Sequence, residues 1–242
     1  MNFTSDNAEG AAPEILDAMA RANDGPASAY GDDPLTAAVG RRCAEIFDRI
    51  ESDLQLDPAE IFDRELAVFV VATGTAANGL AFASMSPPWG AVLVHEAAHV
   101  QIDECGAPEF FAGGAKLLPL RGELGKLTPG SVRDALSYAY DGFVHHAQPS
   151  VLSLTQATEH GTVYTFAEVA ELAEVARSRH MTVHMDGARF ANALVHLGCS
   201  PAEITWKSGV DVLSFGATKN GCVAAEAVVF FDRERAKSLP YL

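Results

Sequence analysis

Residues 95–99 read HEAAH, the HExxH spacing in which two histidines bind zinc and the glutamate acts as general base. That chemistry needs a helix through the whole motif, because side chains four residues apart share a face only on a helical backbone. The preceding residues do not supply one. PPWG leads into Ala91, Val92, Leu93 and Val94, a short branched run that reads as a buried strand ending at His95. A third ligand could come from Glu123, but RGELGKLTPG around it reads as a loop. The sequence therefore argues for no metal at this motif and leaves His99 to other work.

Three further stretches carry groups that belong together. TGTAAN at 73–78 follows an apolar run and opens a helical pattern, with Gly74 and Thr75 in the turn. Unpaired N–H groups at a helix start, reinforced by the helix dipole, seat a phosphate; the plainer alternative is a strand-to-helix turn capped by Thr75. The stretch matches neither GxGxxG nor the Walker pattern, so a nucleotide is not specifically indicated. Asp186 follows TVHM and precedes GARF, which puts a carboxylate at a strand end and Arg189 at the next helix start, where the two could also be a structural pair. Lys219 lies in GATKNG, a glycine-bounded turn after DVLSF, and stands about one crossover unit of ~30 residues beyond Asp186. A phosphate seat, a carboxylate and a lysine on one sheet edge are what pyridoxal 5'-phosphate requires. The lysine forms the Schiff base, and the carboxylate pairs with the pyridinium nitrogen so that the ring acts as an electron sink. On this reading His99 stacks on the cofactor ring, while His95 and Glu96 are loop residues.

The elements that must position these groups follow from periodicity. Amphipathic helical patterns run over about 13–23, 34–52, 76–85, 129–140, 166–179 and 189–197. Short strands lie between them at 66–72, 91–94, 150–156, 182–185, 211–215 and 226–231. This alternation predicts an α/β fold with a mainly parallel sheet, flanking helices, and functional groups at the carboxyl ends of the strands. The 242 residues, 48% apolar and 20% charged, are enough for a full core. Seventeen basic against 32 acidic side chains give a net charge of −15, which disfavours nucleic acid and anionic membranes as partners. The start MNFTSDNAEG lacks the pattern of an export signal, and no apolar run is long enough to span a bilayer. Cys43, Cys105, Cys199 and Cys222 are widely spaced with no CxxC pair, as expected of thiols in a reducing compartment; the expected location is the cytoplasm.

With these residues in place, the chain resembles the low-specificity L-threonine aldolases, fold type I enzymes that use pyridoxal phosphate. The resemblance rests on TSDN at 4–7, YGDDP at 30–34, TGTAAN at 73–78, EAAH at 96–99, CGAPEFF at 105–111, GKLTP at 125–129, TQATEHGTVY at 155–164, HMDGARFANA at 184–193 and GATKNG at 216–221. It implies a fold type I large domain over 1–242, with an N-terminal arm to about residue 35. It also implies that Lys219 forms the Schiff base, Asp186 partners the pyridine nitrogen, His99 stacks on the ring, and Gly74 and Thr75 hold the phosphate. Ser5 and Arg189 match residues that bind the substrate carboxylate. Tyr30 resembles a wall residue contributed across a dimer interface, and His145, beside His146, matches a histidine near the substrate hydroxyl. The implied reaction cleaves L-threonine, L-allo-threonine and related β-hydroxy-α-amino acids to glycine and an aldehyde. Its base would be His99, His145 or a water they orient, and the assembly a homodimer or homotetramer with shared active sites.

One departure stands out. The family's chain continues past the position of Leu242 into a smaller C-terminal domain that supplies a further carboxylate-binding arginine, and this sequence stops there. The expectation is that cofactor recognition is kept while substrate binding is weakened. Alternative readings are another fold type I lyase or aminotransferase, a non-catalytic cofactor-binding scaffold and, least favoured, a zinc peptidase.

Overall fold

The computed structural model of the chain describes residues 10–29, 31–47, 66–138 and 142–242. Among these residues seven strands form one sheet: β1 (Ala67–Val71), β2 (Gly90–His95), β3 (Lys116–Leu120), β4 (Gln148–Thr155), β5 (Thr182–Gly187), β6 (Val212–Gly216) and β7 (Glu226–Phe230). Their order is β1-β7-β6-β5-β4-β2-β3, with β7 antiparallel to both its neighbours and all other pairings parallel. This is the expected mainly parallel α/β sheet. The exception has a local cause. The turn after β6 folds back on itself, with Ala217 N–H donating to the Ala225 carbonyl at 3.0 Å and Gly221 in the left-handed region, so no crossover intervenes.

The helices are α1 (Pro13–Ala22), α2 (Pro34–Ile46), α3 (Gly74–Met85), α4 (His99–Ile102), α5 (Ala107–Phe111), α6 (Pro129–Ser137), α7 (Phe166–Arg177), α8 (Phe190–Leu197) and α9 (Pro201–Ile204). The six helical patterns read from the sequence all appear, although α3 begins two residues earlier than expected. The tail of the second pattern and the end of the fourth lie outside the described residues. The strand β3 and the short helices α4, α5 and α9 were not foreseen. Sequence KLLPL contains Pro119, which argues against a central strand; β3 is an edge strand, where a missing N–H is tolerated.

Alternation along the central strands divides the core. Leu152, Leu154, Val183, Met185 and Leu213 face α7, which contributes Val169, Leu172, Ala173 and Ala176. A capping box of Thr165 and Glu168 starts that helix. On the other face Val151, Val212 and Val228 meet α3, whose Ala77, Asn78, Gly79, Ala81 and Phe82 are buried. A Cβ on Gly79 would come within 3.4 Å of the Phe111 ring, so the glycine lets α5 lie close on α3. No helix among the described residues is long and apolar enough to cross a membrane.

Candidate active site

A cleft of about 340 Å³ opens at the carboxyl edge of the parallel strands. At one end is the first turn of α3. Thr73 caps it, its hydroxyl accepting the Ala76 N–H at 3.1 Å and its carbonyl the Ala77 N–H at 3.0 Å. The cap is therefore Thr73 rather than Thr75, and the N–H groups of Gly74 and Thr75 have no acceptor among the described residues. A Cβ on Gly74 would meet nothing within 4 Å, so the space above this turn is open. Two unpaired N–H groups at the positive end of a twelve-residue helix make an anion seat.

Asp186, near the end of β5, is buried and fixed from two sides. Its Oδ1 accepts the Ala188 N–H at 3.0 Å and its Oδ2 accepts Asn78 Nδ2–H at 3.0 Å. Asn78 lies one turn into α3, and the same amide nitrogen also donates to Glu104 Oε1 at 2.9 Å. Glu104 is fully buried and lies 2.8 Å from His99 Nδ1. A carboxylate only accepts, so Nδ1 carries the proton and Nε2 is left for the cleft. That hydrogen bond raises the His99 pKa above its ordinary value against the opposing effect of burial; the charge of Asp186 adds to the rise and that of Lys219 opposes it. Asp186, Asn78, Glu104 and His99 thus form one continuous chain of hydrogen bonds.

Lys219 lies in the turn Thr218–Asn220 after β6, and Arg189 occupies the N-cap position of α8; both line the cleft. Because β7 is antiparallel, its first residue, Glu226, reaches the same edge. Burial raises the Glu226 carboxyl, while hydrogen bonds from Thr218 oppose the rise. The cleft therefore sets four carboxylates, Asp186, Glu104, Glu159 and Glu226, beside Lys219 and Arg189.

Three buried polar atoms here, Asn78 Oδ1, Glu104 Oε2 and Glu159 Oε2, have no partner among the described residues. Buried polar atoms without partners are costly, and in a cleft they mark where a ligand completes the network. With the open anion seat and Lys219 at one edge, this donor and acceptor set fits a phosphorylated, nitrogen-containing aldehyde such as pyridoxal 5'-phosphate.

Comparison with known proteins gives the family. The family model described as "Beta-eliminating lyase" matches residues 2–240. The chain belongs to the beta-eliminating lyase family. It is 46% identical over 239 residues to the low specificity L-threonine aldolase of Pseudomonas aeruginosa and 45% identical to that of a Pseudomonas species. Each alignment takes in 99% of this chain but 64% of the relative, so the chain spans slightly under two-thirds of their length. Among solved structures, a threonine aldolase of Leishmania major superimposes with a TM-score of 0.82 at 27% identity, covering 98% of this chain and 66% of that one. Alanine–glyoxylate aminotransferase from Nostoc sp., with a TM-score of 0.60 and 18% identity over 97% of this chain and 54% of its own, shares the fold alone.

Within this member of the family, the cofactor and substrate residues read from the sequence divide into three groups. Gly74, Thr75, His99, Asp186, Arg189 and Lys219 are brought to one cleft. His145 is exposed on the loop before β4, its ring centroid 5.2 Å from that of Phe143, and does not line the cleft. Ser5 and Tyr30 lie outside the described residues. HEAAH straddles a strand end and a turn. His95 closes β2, with Nε2 3.1 Å from the Gly122 carbonyl and Nδ1 accepting the Ala97 N–H at 3.0 Å; His99 opens α4. The two histidines do not share a helical face, and both ring nitrogens of His95 are engaged by the backbone. Glu123 begins a separate short turn.

Asn78, Glu104, Glu159 and Glu226 were not singled out. Asn78 stood inside TGTAAN one helical turn beyond Gly74, and Glu226 is a charged residue opening an otherwise apolar strand, an unusual place for one. Glu104 and Glu159 were harder to see, because Asn78 lies 26 residues from Glu104 and the His99 N–H 60 residues from Glu159.

Proposed function

We propose that this chain carries the cofactor site of a pyridoxal phosphate-dependent aldehyde-lyase that cleaves L-threonine, L-allo-threonine and related β-hydroxy-α-amino acids to glycine and an aldehyde. The observation that carries the reading is the convergence of Lys219, Asp186, His99 and the open first turn of α3 on one cleft. The similarity to the Pseudomonas aldolases supports the substrate class.

When bound, the cofactor supplies an electron sink for the pair released as the substrate's Cα–Cβ bond breaks. The residues that would hold it are Lys219 through its amine, Asp186 at the ring nitrogen, Gly74 and Thr75 at the phosphate, and His99 against the ring. Asp186 is suited to its part because Asn78 and the Ala188 N–H fix both carboxylate oxygens before any ligand arrives. His99 is held in the same way by Glu104, which sets both its tautomer and its ring orientation. Arg189 is the described cation for the substrate carboxylate, with Ser5 as its partner in this reading, and Tyr30 belongs to the wall of the neighbouring protomer's site. Such sharing requires a homodimer or homotetramer. Four free cysteines fit a reducing compartment such as the cytoplasm.

A visible spectrum of the purified chain with added pyridoxal phosphate, before and after borohydride, tests the cofactor assignment. A reducible chromophore fixed to Lys219 and lost in Lys219→Ala is expected, together with acetaldehyde release from L-threonine. A covalent adduct on another lysine, or turnover that survives Lys219→Ala, would overturn it.

A further inference from the structure

Glu159 has no part in the assignments above, yet it is built into the cleft wall. It follows β4, and its Oε1 accepts the backbone N–H of His99 at 2.8 Å, which anchors the side chain beside the ring-stacking residue. Its Oε2 is buried and has no partner among the described residues. The charged and titratable groups around the cleft are His99 and Glu104 from the segment after β2, Asp186 and Arg189 from β5 and the start of α8, and Lys219 and Glu226 from the β6–β7 turn and β7. Burial is the main influence on Glu159 and raises its carboxyl; the charge of Asp186 adds to this, while the His99 N–H and the His99 charge oppose it. An anchored carboxylate with one bare, poorly hydrated oxygen is a stronger proton acceptor than an exposed glutamate.

Two hydroxyls would enter a cleft holding cofactor and substrate, one on the cofactor ring and one on the amino acid. The ring oxygen would be the more acidic of the two and, once ionised, would call for a donor. Thr155, lining the same wall, carries a hydroxyl able to donate, whereas a carboxylate repels an anion. The substrate's β-hydroxyl is a neutral donor that must lose its proton.

We propose that Glu159 is a catalytic residue whose Oε2 binds the β-hydroxyl of the amino-acid substrate and takes its proton; this rests on the aldolase reading. The O–H bond breaks and the proton moves to Oε2, while the freed oxygen pair forms the aldehyde C=O. The Cα–Cβ bond breaks, its electron pair staying on the Cα side. The same proton is later delivered to Cα, which restores the carboxylate and leaves glycine plus aldehyde with no net proton change. His99 is positioned to hold the ring, and its only uncommitted ring nitrogen is Nε2.

The test uses borohydride-reduced adducts of pyridoxal phosphate with L-threonine and with L-2-aminobutyrate, which differ only in the β-hydroxyl and cannot turn over. Calorimetry on the cofactor-free full chain should show the threonine adduct bound roughly ten- to a hundredfold more tightly, the range for a hydrogen bond to a charged group. Glu159→Ala should erase that preference and leave the aminobutyrate adduct within about twofold of the parent. Glu159→Gln, which keeps an acceptor for the His99 N–H, should bind the aminobutyrate adduct normally yet cleave threonine about a hundredfold more slowly, in line with loss of a general base. Equal weakening of both adducts would overturn the proposal by assigning Oε2 to the ring hydroxyl, and an undiminished preference in both variants would overturn it outright. Failure of the parent chain to bind either adduct would overturn the cofactor reading itself, a result distinct from binding without preference for the hydroxyl.

Discussion

Two histidines in this chain have been pushed in opposite directions, and the cause in each case is what lies within reach of the ring. His184, on β5, is wholly buried between Ser153 and Ser214, each 2.9 Å from one ring nitrogen, with Phe82 edge-on at 5.0 Å. Burial lowers its pKa from 6.5 to about 4, against the pull of Asp186 two residues on. A base with a depressed folded-state pKa costs nothing above the unfolded value and destabilises as pH falls through the window between the two. Urea unfolding should therefore lose stability between pH 6.5 and 4, with roughly 3 kcal/mol attributable to this group, and His184→Gln should flatten that part of the profile. His99 has the opposite sign. Its raised pKa adds stability that is complete below pH 6.5 and is lost as pH rises through the folded value. Glu104→Gln should lower the His99 pKa, an outcome readable from imidazole NMR shifts in the cofactor-free protein; an unchanged titration would mean that Glu104 does not set the state of that ring. Lys219, Asp186 and His99 were legible in the sequence because each stands at or shortly after the end of a strand. Glu104 and Glu159 were not, because the Asn78 amide and the His99 N–H that define them come from other elements.

Among the elements, the start of α3 does two jobs with one turn. Thr73 satisfies the Ala76 N–H while the two N–H groups before it stay open. Thr73→Ala should cost about 1 kcal/mol in chemical denaturation, the usual value of a lost N-cap, and should loosen the grip on phosphate by disordering the turn. Inorganic phosphate binding followed by calorimetry checks the second effect, which should be absent in Thr165→Ala, where an equivalent cap starts α7 and does not line the cleft. Sequence periodicity located the long helices and the central strands well, since their burial is one-sided or complete and the pattern is repeated over several turns or residues. It failed on β3 and on α4, α5 and α9. These have four or five residues each, too few for a period to show, and α5 and α9 are held by packing on α3 and α7 respectively.

For the molecule as a whole, α1 is the part least explained by its own chain. None of its residues is buried, and Leu16 and Met19 are each 51% exposed. Ten residues are too few for a helix to be stable alone in water, and a surface laid over this face would stabilise it. The start of α1 is tied to the active-site turn, the Ala12 N–H donating to the Gly221 carbonyl at 2.9 Å, so whatever covers the helix lies beside Lys219. A second copy of the chain fits the proposal of sites shared between protomers. Sedimentation should show a dimer or larger assembly, shifted toward monomer by Leu16→Glu with Met19→Glu; a parent chain that sediments as a monomer at all concentrations would refute this.

The antiparallel strand β7 has a further consequence, for the order in which the cleft comes into being. Among the described strands it is the only neighbour of β1, pairing Ala67 with Phe230, so the strand leading into the anion seat lacks this partner until nearly the last described residues have been made. The central strands β4, β5 and β6 each join a strand made before them and can consolidate as the chain emerges. The seat at Gly74 and the turn at Lys219 are joined only when β7 slots between β1 and β6, an event of very high sequence separation and hence slow. A chain released before Phe230 should collapse around a five-strand sheet with β1 detached and its edge exposed, and hydrogen exchange during refolding should protect β4 and β5 before β1.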